Sequence, residues 1–477
     1  MTERSVFPGR QPAPALAGSA TVPPFDGSLG PMPPALRLPR RATGATGSLR
    51  FLYFLWLMLL FQPHWWVVSL GAPWARHIPT VLMALLAFLL LVQLKVREWY
   101  LPLLMLVLFA ALTAPFAVNP AYAKEPAKAL LLYWLVGVGT LSFVRTARQA
   151  IPILLSLGIF QFAWWGVLGA RSGLVAWHPV LSNYDDFGAA MDIGIGCALG
   201  FGFAARSRPL RYVGFAVAAV CAAGVVSSFA RGAFLAAAFV MAFMLYRSPN
   251  KRAAAAGVAL AAAAVTLAGV VLFGEAGVSR AEGKGNNTAR SFFAEIGTIS
   301  RDFNAGTGAD RRVLWRAAWQ VFLQHPVVGV GADNFGPFAA GYFRPGTVGG
   351  VYARNPATLY DRKLHNGYFQ SLSEFGIVGT LLFLWVVVDF WKRNAALRTP
   401  RYRAAWEAET GGRYDLRWLA LGLESGMVGL WASAVFYNQL FEPWLYFLLI
   451  ANAVLHSRLK VALHTPAVVA APGVGRV

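Results

Sequence analysis

Charged side chains are scarce in this chain: Asp, Glu, Lys and Arg make up 13% of its 477 residues, about half the roughly 25% of a soluble domain. So little charge cannot cover a water-soluble surface of this size. Apolar runs of ~18 residues or more recur along the sequence, so much of the chain must face lipid. Acids are scarcer than bases, 21 against 42, and the net charge is +21. No basic stripe with interleaved aromatics lies on a soluble segment; the bases cluster in short connections between apolar runs. Membrane orientation accounts for them, and no nucleic-acid partner is expected. The two cysteines, Cys197 and Cys221, lie within apolar runs and read as small buried hydrophobes rather than disulfide or metal ligands. HExxH, CxxC, P-loop and GxSxG patterns are missing from any meaningful place, as is a clustered carboxylate–histidine set. No metal and no cofactor is therefore expected.

What is present is apolar: 57% hydrophobic and 14% aromatic residues, with a mean hydropathy of +0.52. Residues 1–50 are the exception. They are rich in Pro, Gly, Ala and Ser, carry six Arg and two acids, and read as a disordered basic tail on the cytoplasmic side. Their distance from the first apolar run argues against a cleaved signal peptide. About twelve membrane spans are expected, at 51–71, 78–94, 101–118, 129–144, 151–170, 187–205, 212–229, 232–247, 253–273, 376–391, 418–437 and 440–456, each boundary uncertain by ~2–4 residues. Among the short connections, those on one side hold only Arg76, Lys124, Lys128, Arg171 and Arg231. By the positive-inside rule that side is the outer one, and both termini are cytoplasmic.

The fold expected is an all-α polytopic membrane protein with one large outer loop between spans nine and ten. Spans one to nine occupy 51–273, the loop 274–375, spans ten to twelve 376–457, and a cytoplasmic tail 458–477. No repeat relates the two halves, which argues against a transporter built from repeats. Within the loop, Glu275–Gly308 is polar and Gly-rich and reads as flexible. Residues 310–324 carry Leu314, Ala318, Val321 and Phe322 at helical spacing, and His325-Pro326 ends that amphipathic helix. Gly329–Asn334 reads as a turn and Pro337–Leu359 as irregular chain. A second short helix starts at the N-cap Asn366 and runs through Glu374 into the tenth span.

The polar residues of the outer face are the candidates for chemistry. His365 precedes that short helix, where the positive end of the dipole favours a neutral imidazole suited to a general base; a locally bonded loop histidine is the alternative. Arg231, in the tightest outer connection, offers a bidentate guanidinium for a phosphate or a snorkel to lipid headgroups. Arg311 and Arg312 at a helix start oppose the dipole, a cost that an anion would offset; a solvated pair is the alternative. Asp185 and Asp186, in the stretch beginning at Asn183, fit an acceptor-orienting or metal role, or turns and caps. Asp192, Asp389, Glu424 and Glu442 lie in or beside spans, where charge is functional or paired.

Three segments resemble the O-antigen ligase and O-antigen polymerase superfamily: Arg311-Arg-Val-Leu-Trp315, His325-Pro-Val-Val-Gly-Val-Gly331, and His365-Asn366 before Glu374-Phe-Gly-Ile-Val-Gly379. Ser227–Ala233 resembles the family's Ser-Arg-Gly-Ala element, with alanine before Arg231, and Asn183–Gly188 loosely resembles its Asn-x-x-Phe-Gly stretch. The resemblance implies a class C glycosyltransferase-like fold in the bacterial inner membrane with a periplasmic catalytic loop. It further implies a metal-independent, inverting transfer of a glycan en bloc from undecaprenyl diphosphate to a hydroxyl on a glycan, lipid A core or protein. Carried onto this sequence, His365 is the base and Arg231, Arg311 and Arg312 hold the diphosphate. Asn366, Glu374, Asn183, Asp185 and Asp186 become acceptor or supporting residues. Polymerase or ligase of a surface polysaccharide is the leading expectation. Protein O-glycosylation, or a flippase for lipid-linked sugar, is the alternative.

Overall fold

The computed structural model describes residues 47–93, 98–157, 162–171, 184–228, 230–273 and 307–464. The two tails, Asn183 and the Gly-rich stretch up to residue 306 lie outside the described residues. In chain order the helices are α1 (Gly47–Phe61), α2 (Pro63–Ser69), α3 (Ile78–Gln93), α4 (Leu101–Thr113), α5 (Pro120–Phe143) and α6 (Ala147–Leu155). Next come α7 (Phe162–Arg171), α8 (Tyr184–Ala204), α9 (Arg208–Ser228), α10 (Arg231–Arg247) and α11 (Lys251–Phe273). The last group is α12 (Thr307–Gln324), α13 (Phe335–Tyr342), α14 (Gly367–Leu397), α15 (Pro400–Thr410), α16 (Leu416–Ser433) and α17 (Pro443–His464). Among the described residues the sole β pairing is one isolated bridge, Ala205 with Tyr414.

Helix occurs within every expected span, as it must where no water can satisfy the backbone. Six helices among the described residues are long and apolar enough to cross a membrane, against twelve spans expected: Pro73–Val92, Pro120–Phe143, Asp185–Ala204, Arg208–Ser228, Gly367–Leu397 and Pro443–His464. The protein is an all-helical membrane protein in that coarser sense. Two expected spans are interrupted or shortened within the described residues. Span 51–71 breaks at Gln62, at φ 46°, because Pro63 has no N–H to continue α1 and opens α2 instead. Span 418–437 stops at Ser433, which leaves Ala434–Glu442 as a connection rather than a helix.

Helix α8 is the axis of the bundle: 94% of its apolar window is buried, compared with 17% for Pro73–Val92. Small residues let its neighbours approach. Gly196 and Gly200 on α8 meet Gly422 and Gly426 on α16, two Gly-x-x-x-Gly pairs. A Cβ on Gly200 would stand 2.4 Å from the Gly422 Cα. Such close backbone approach replaces the hydrophobic driving force that lipid does not supply.

Polar side chains gather at the two ends of these helices. Toward the C-terminal ends of α8, α10 and α14, Arg398 bonds the buried Glu424 at 2.5 Å with Arg247 3.8 Å away, and Arg206 pairs with Glu407 at 3.7 Å. Arg458 on α17 pairs with Glu98 at 3.0 Å, and on α14 Asp389 binds Arg393 at 2.6 Å. Asp389 and Glu424, two of the four acids expected in or beside spans, are thus paired with arginines, as the cost of their burial requires.

The opposite end carries a small layer of its own, built on the apolar core of Leu314, Ala318, Val321, Phe335, Leu359 and Leu364. Here the expectation of irregular chain over Pro337–Leu359 is corrected: α13 forms at Phe335–Tyr342, followed by 3-10 turns at Gly350–Tyr352 and Pro356–Leu359. Pro337 sits in the first turn of α13, where no N–H is required, so it starts a helix rather than breaking one. This layer is clamped to the bundle where α14 kinks at Gly376, at φ 61°. The kink and the turn after α12 satisfy each other's backbone: Val330 and Gly331 donate to Ser373 and Glu374, while Ile377 and Val378 donate to Pro326 and Val327. A Cβ on Gly376 would lie 2.5 Å from the Val327 carbonyl carbon, and one on Gly329 2.3 Å from that of Glu374. Glycine is required at both.

Candidate active site

His365 stands at the junction of this outer layer and the bundle, in a left-handed conformation (φ 51°) that a side-chain-bearing residue adopts only under constraint. The constraint comes from both flanks. The Trp315 indole donates to the Leu364 carbonyl at 3.2 Å. On the other side the Asn366 N–H donates to Asn438 Oδ1 at 3.2 Å, its side-chain amide to the Val435 carbonyl at 2.9 Å, and the Gly367 N–H to Ala434 O at 2.7 Å. Asn366 Oδ1 meanwhile caps α14, accepting from the N–H groups of Tyr368 and Phe369 at 2.9 Å each. The N-cap expected at Asn366 is present, and the whole side chain is occupied by holding His365 in place.

Across from His365 lies Asp185, in the first turn of α8. Its Oδ2 accepts from Arg311 Nη2 at 3.0 Å and lies 3.6 Å from His365 Nδ1. Three segments far apart in sequence therefore converge on one buried carboxylate oxygen. Burial lowers the His365 pKa to about 4, with the charges of Arg311, Lys363 and Arg362 adding to the effect, so the imidazole is neutral at pH 7. The sequence attributed that neutrality to the helix dipole; in the structure burial and three nearby cations favour it.

The remaining candidates separate. Arg312 follows Arg311 by about 100° of helix rotation, so the pair does not turn as a unit toward Asp185. Asp186 is likewise turned from Asp185 and lies in the field of Lys363, which also acts on Asp333 and Glu442. Burial pushes the Asp333 carboxyl up and that of Glu442 up to about 8. Glu374 is buried; its Oε2 accepts from the Asp333 N–H at 2.9 Å and from Gln370 at 3.2 Å, which fastens the turn after α12 to α14. Arg231 opens α10 at the same end of the bundle as Asp185. There Gly188 of α8 packs against Ser228, Ala230 and Ala233.

Tyr437 was absent from the sequence candidates. It is buried, lies in the field of Asp185, Asp192 and Arg311, and its hydroxyl would be 2.5 Å from a Cβ on Gly232, beside Arg231. It thus links the start of α10 to the Asp185–Arg311 pair. Its assignment to a span concealed it, and no sequence signal marked it. Asp192, seven residues along α8 from Asp185, is fully buried with Ser433 Oγ 3.4 Å from its Oδ2. Among the described residues no group of three or more His, Cys, Asp or Glu could hold a metal ion.

Residues 215–384 match a family model described as O-antigen ligase. The matched segment includes Arg231, Arg311, Arg312, His365, Asn366 and Glu374 and excludes Asp185 and Tyr437. No curated protein matches the chain.

Proposed function

We propose that this chain, a member of the O-antigen ligase and polymerase superfamily by its match over residues 215–384, transfers a glycan en bloc from undecaprenyl diphosphate to an acceptor hydroxyl, with His365 as the general base. The observation that carries the reading is the shared Asp185 oxygen, 3.0 Å from Arg311 and 3.6 Å from a neutral His365. Asp185 Oδ2 faces His365 Nδ1 and favours the tautomer that keeps its proton there, which leaves Nε2 as the lone-pair nitrogen. Nε2 removes the acceptor's hydroxyl proton as its oxygen bonds to the anomeric carbon. The bond from that carbon to the diphosphate oxygen breaks on the opposite face, with inversion, and the lipid diphosphate leaves with the electron pair.

Negative charge grows on the diphosphate during this step, and preorganised guanidiniums stabilise it selectively. Arg311 has that role in the site, with Arg231 at the start of α10 and the neighbouring Arg312, turned from Arg311, as further candidates. Arg311 shares its charge with Asp185 through one nitrogen and retains its other donors for the leaving group. Asn366 and Glu374 support the site by fixing the backbone of His365 and of the turn after α12. The concentration of arginines at the far ends of α8, α10 and α14 supports an inner-membrane orientation with the site on the periplasmic face.

The test is transfer from lipid-linked glycan in proteoliposomes. His365→Ala lowers the rate by about 10²- to 10⁴-fold, the usual contribution of general-base catalysis, and EDTA leaves the native rate unchanged. A flippase needs no base, so undiminished activity of His365→Ala would overturn the transferase reading. Deletion of the gene distinguishes the acceptors: single-repeat surface glycan follows loss of a polymerase, and long lipid-linked chains beside bare acceptor follow loss of a ligase.

A further inference from the structure

Helix α12 is apolar on two sides. Leu314, Ala317, Ala318 and Val321 form the buried side, in the core of the outer layer. The other side presents Trp319 and Leu323, 46% and 57% exposed, and continues through Val327 and Val328, 58% and 46% exposed. The Trp319 ring lies 5.2 Å from that of Phe322, which widens the patch. A cap surrounded by water would carry polar residues there, and a contiguous bare patch of this kind marks a contact surface.

The patch continues a surface whose environment is known. On the membrane-crossing helix α14, Ile377, Leu381, Leu384 and Val388 are exposed at intervals of three and four residues, with Val378 and Trp385 beside them. That stripe faces lipid, because it is the unpacked apolar side of a span. The N–H groups of Ile377 and Val378 at its top donate to the carbonyls of Pro326 and Val327 at 2.8 and 3.1 Å. The backbone therefore joins the bare turn directly to the lipid-facing stripe. Its residues are as bare as Ile377 and Leu381, which are 50% and 59% exposed. Arg316, one turn toward the N-terminus from Trp319 on the same side, is exposed, and Trp with Arg suits the interface between acyl chains and headgroups.

We infer that Trp319, Leu323, Val327 and Val328 are immersed in the acyl-chain region of the bilayer leaflet on the site's side, so that α12 lies at the membrane interface as an amphipathic anchor for the outer layer. This rests on the membrane fold and is independent of the transfer chemistry. It has a consequence for the site, since Arg311 is carried by the same helix and its height above the bilayer is set by this contact.

Spin labels test the inference in the full-length protein in phosphatidylethanolamine–phosphatidylglycerol vesicles. Both native cysteines are buried, so a nitroxide goes to an introduced site. At Leu323→Cys and Val327→Cys the label collides more with oxygen than with a water-soluble nickel chelate. The resulting depths are intermediate between Leu381→Cys, which is deeper, and Arg354→Cys, which is in water. Preferential collision with nickel at positions 323 and 327 would overturn the inference. So would low collision with both reagents combined with spin–spin broadening that disappears on dilution with unlabelled protein, because a second copy would then cover the patch. Without any label, dibrominated lipid quenches the fluorescence component lost in Trp319→Phe; an unquenched component counts against immersion.

Discussion

Asp185 and His365, 180 residues apart in the chain, meet through Oδ2 and Nδ1 at 3.6 Å, while the same oxygen accepts from Arg311 at 3.0 Å. The contact is not an ion pair at neutral pH, because burial and three cations keep the imidazole uncharged. At 3.6 Å it lies just beyond hydrogen-bond distance, an approach of the kind that tightens when substrate binds. Asp185 is therefore a positioning residue whose influence passes through both the base and an arginine.

Replacing Asp185 with Asn separates those influences. The amide can donate to Nδ1, which favours the wrong tautomer of His365 and no longer balances Arg311. The transfer rate falls by about 10²-fold or more, on the scale of lost general-base catalysis. Asp185→Glu recovers part of kcat with the native pH profile, whereas a purely structural role would give equal losses in both variants. Steady-state transfer in vesicles provides the measurement.

The depressed His365 pKa sets the pH dependence. Protonation of the base itself removes activity only as pH falls through about 4. For stability the sign follows from proton binding: between the ordinary value of 6.5 and about 4 the unfolded chain holds the proton and the folded chain does not. Stability contributed by this group thus rises with pH across that window and is lost as pH falls from 6.5 toward 4. A His365 imidazole signal that titrates near 6.5, followed by NMR, would contradict the assignment.

Strain at the same residue offers a second check. Glycine tolerates φ 51° and alanine does not, so His365→Gly is more stable than His365→Ala by about 1 kcal/mol. Both variants lose transfer. Thermal unfolding in detergent, compared with activity, separates the backbone cost from the chemical role.

Gly376→Ala should be severe for a different reason. Its Cβ would collide with the Val327 backbone at 2.5 Å, in a conformation glycine alone adopts readily. The clamp between the turn after α12 and α14 opens, at a cost of about 1–3 kcal/mol for the strain alone. Fluorescence-detected size exclusion after mild heating would reveal the loss, with Gly346→Ala, whose added Cβ meets open space, marking the cost of positive φ without a collision.

Hydrophobic runs, the N-cap at Asn366 and the helix stop at His325-Pro326 were legible in the sequence because each depends on a few neighbouring residues. So was the neutral histidine, although for an incomplete reason. The breaks at Pro63 and at the early end of α16 at Ser433 were not, since averaged hydropathy smooths over such local breaks. Nor was the helix at Phe335–Tyr342, because proline is permissive in a first turn and disruptive elsewhere.

Scarcity of charge by itself determined that this chain belongs in lipid: burying so much apolar surface leaves no soluble alternative. The motifs determined which residues to suspect. Only the tertiary structure decided that Asp185, left open in the sequence between a turn residue and an acceptor-orienting one, is the carboxylate shared by Arg311 and His365, and that Tyr437 stands beside them. The reason is geometric. Asp185 opens α8, Arg311 lies on α12 and His365 precedes α14, and only the packing of those elements decides that they meet, a matter on which residue spacing along the chain is silent.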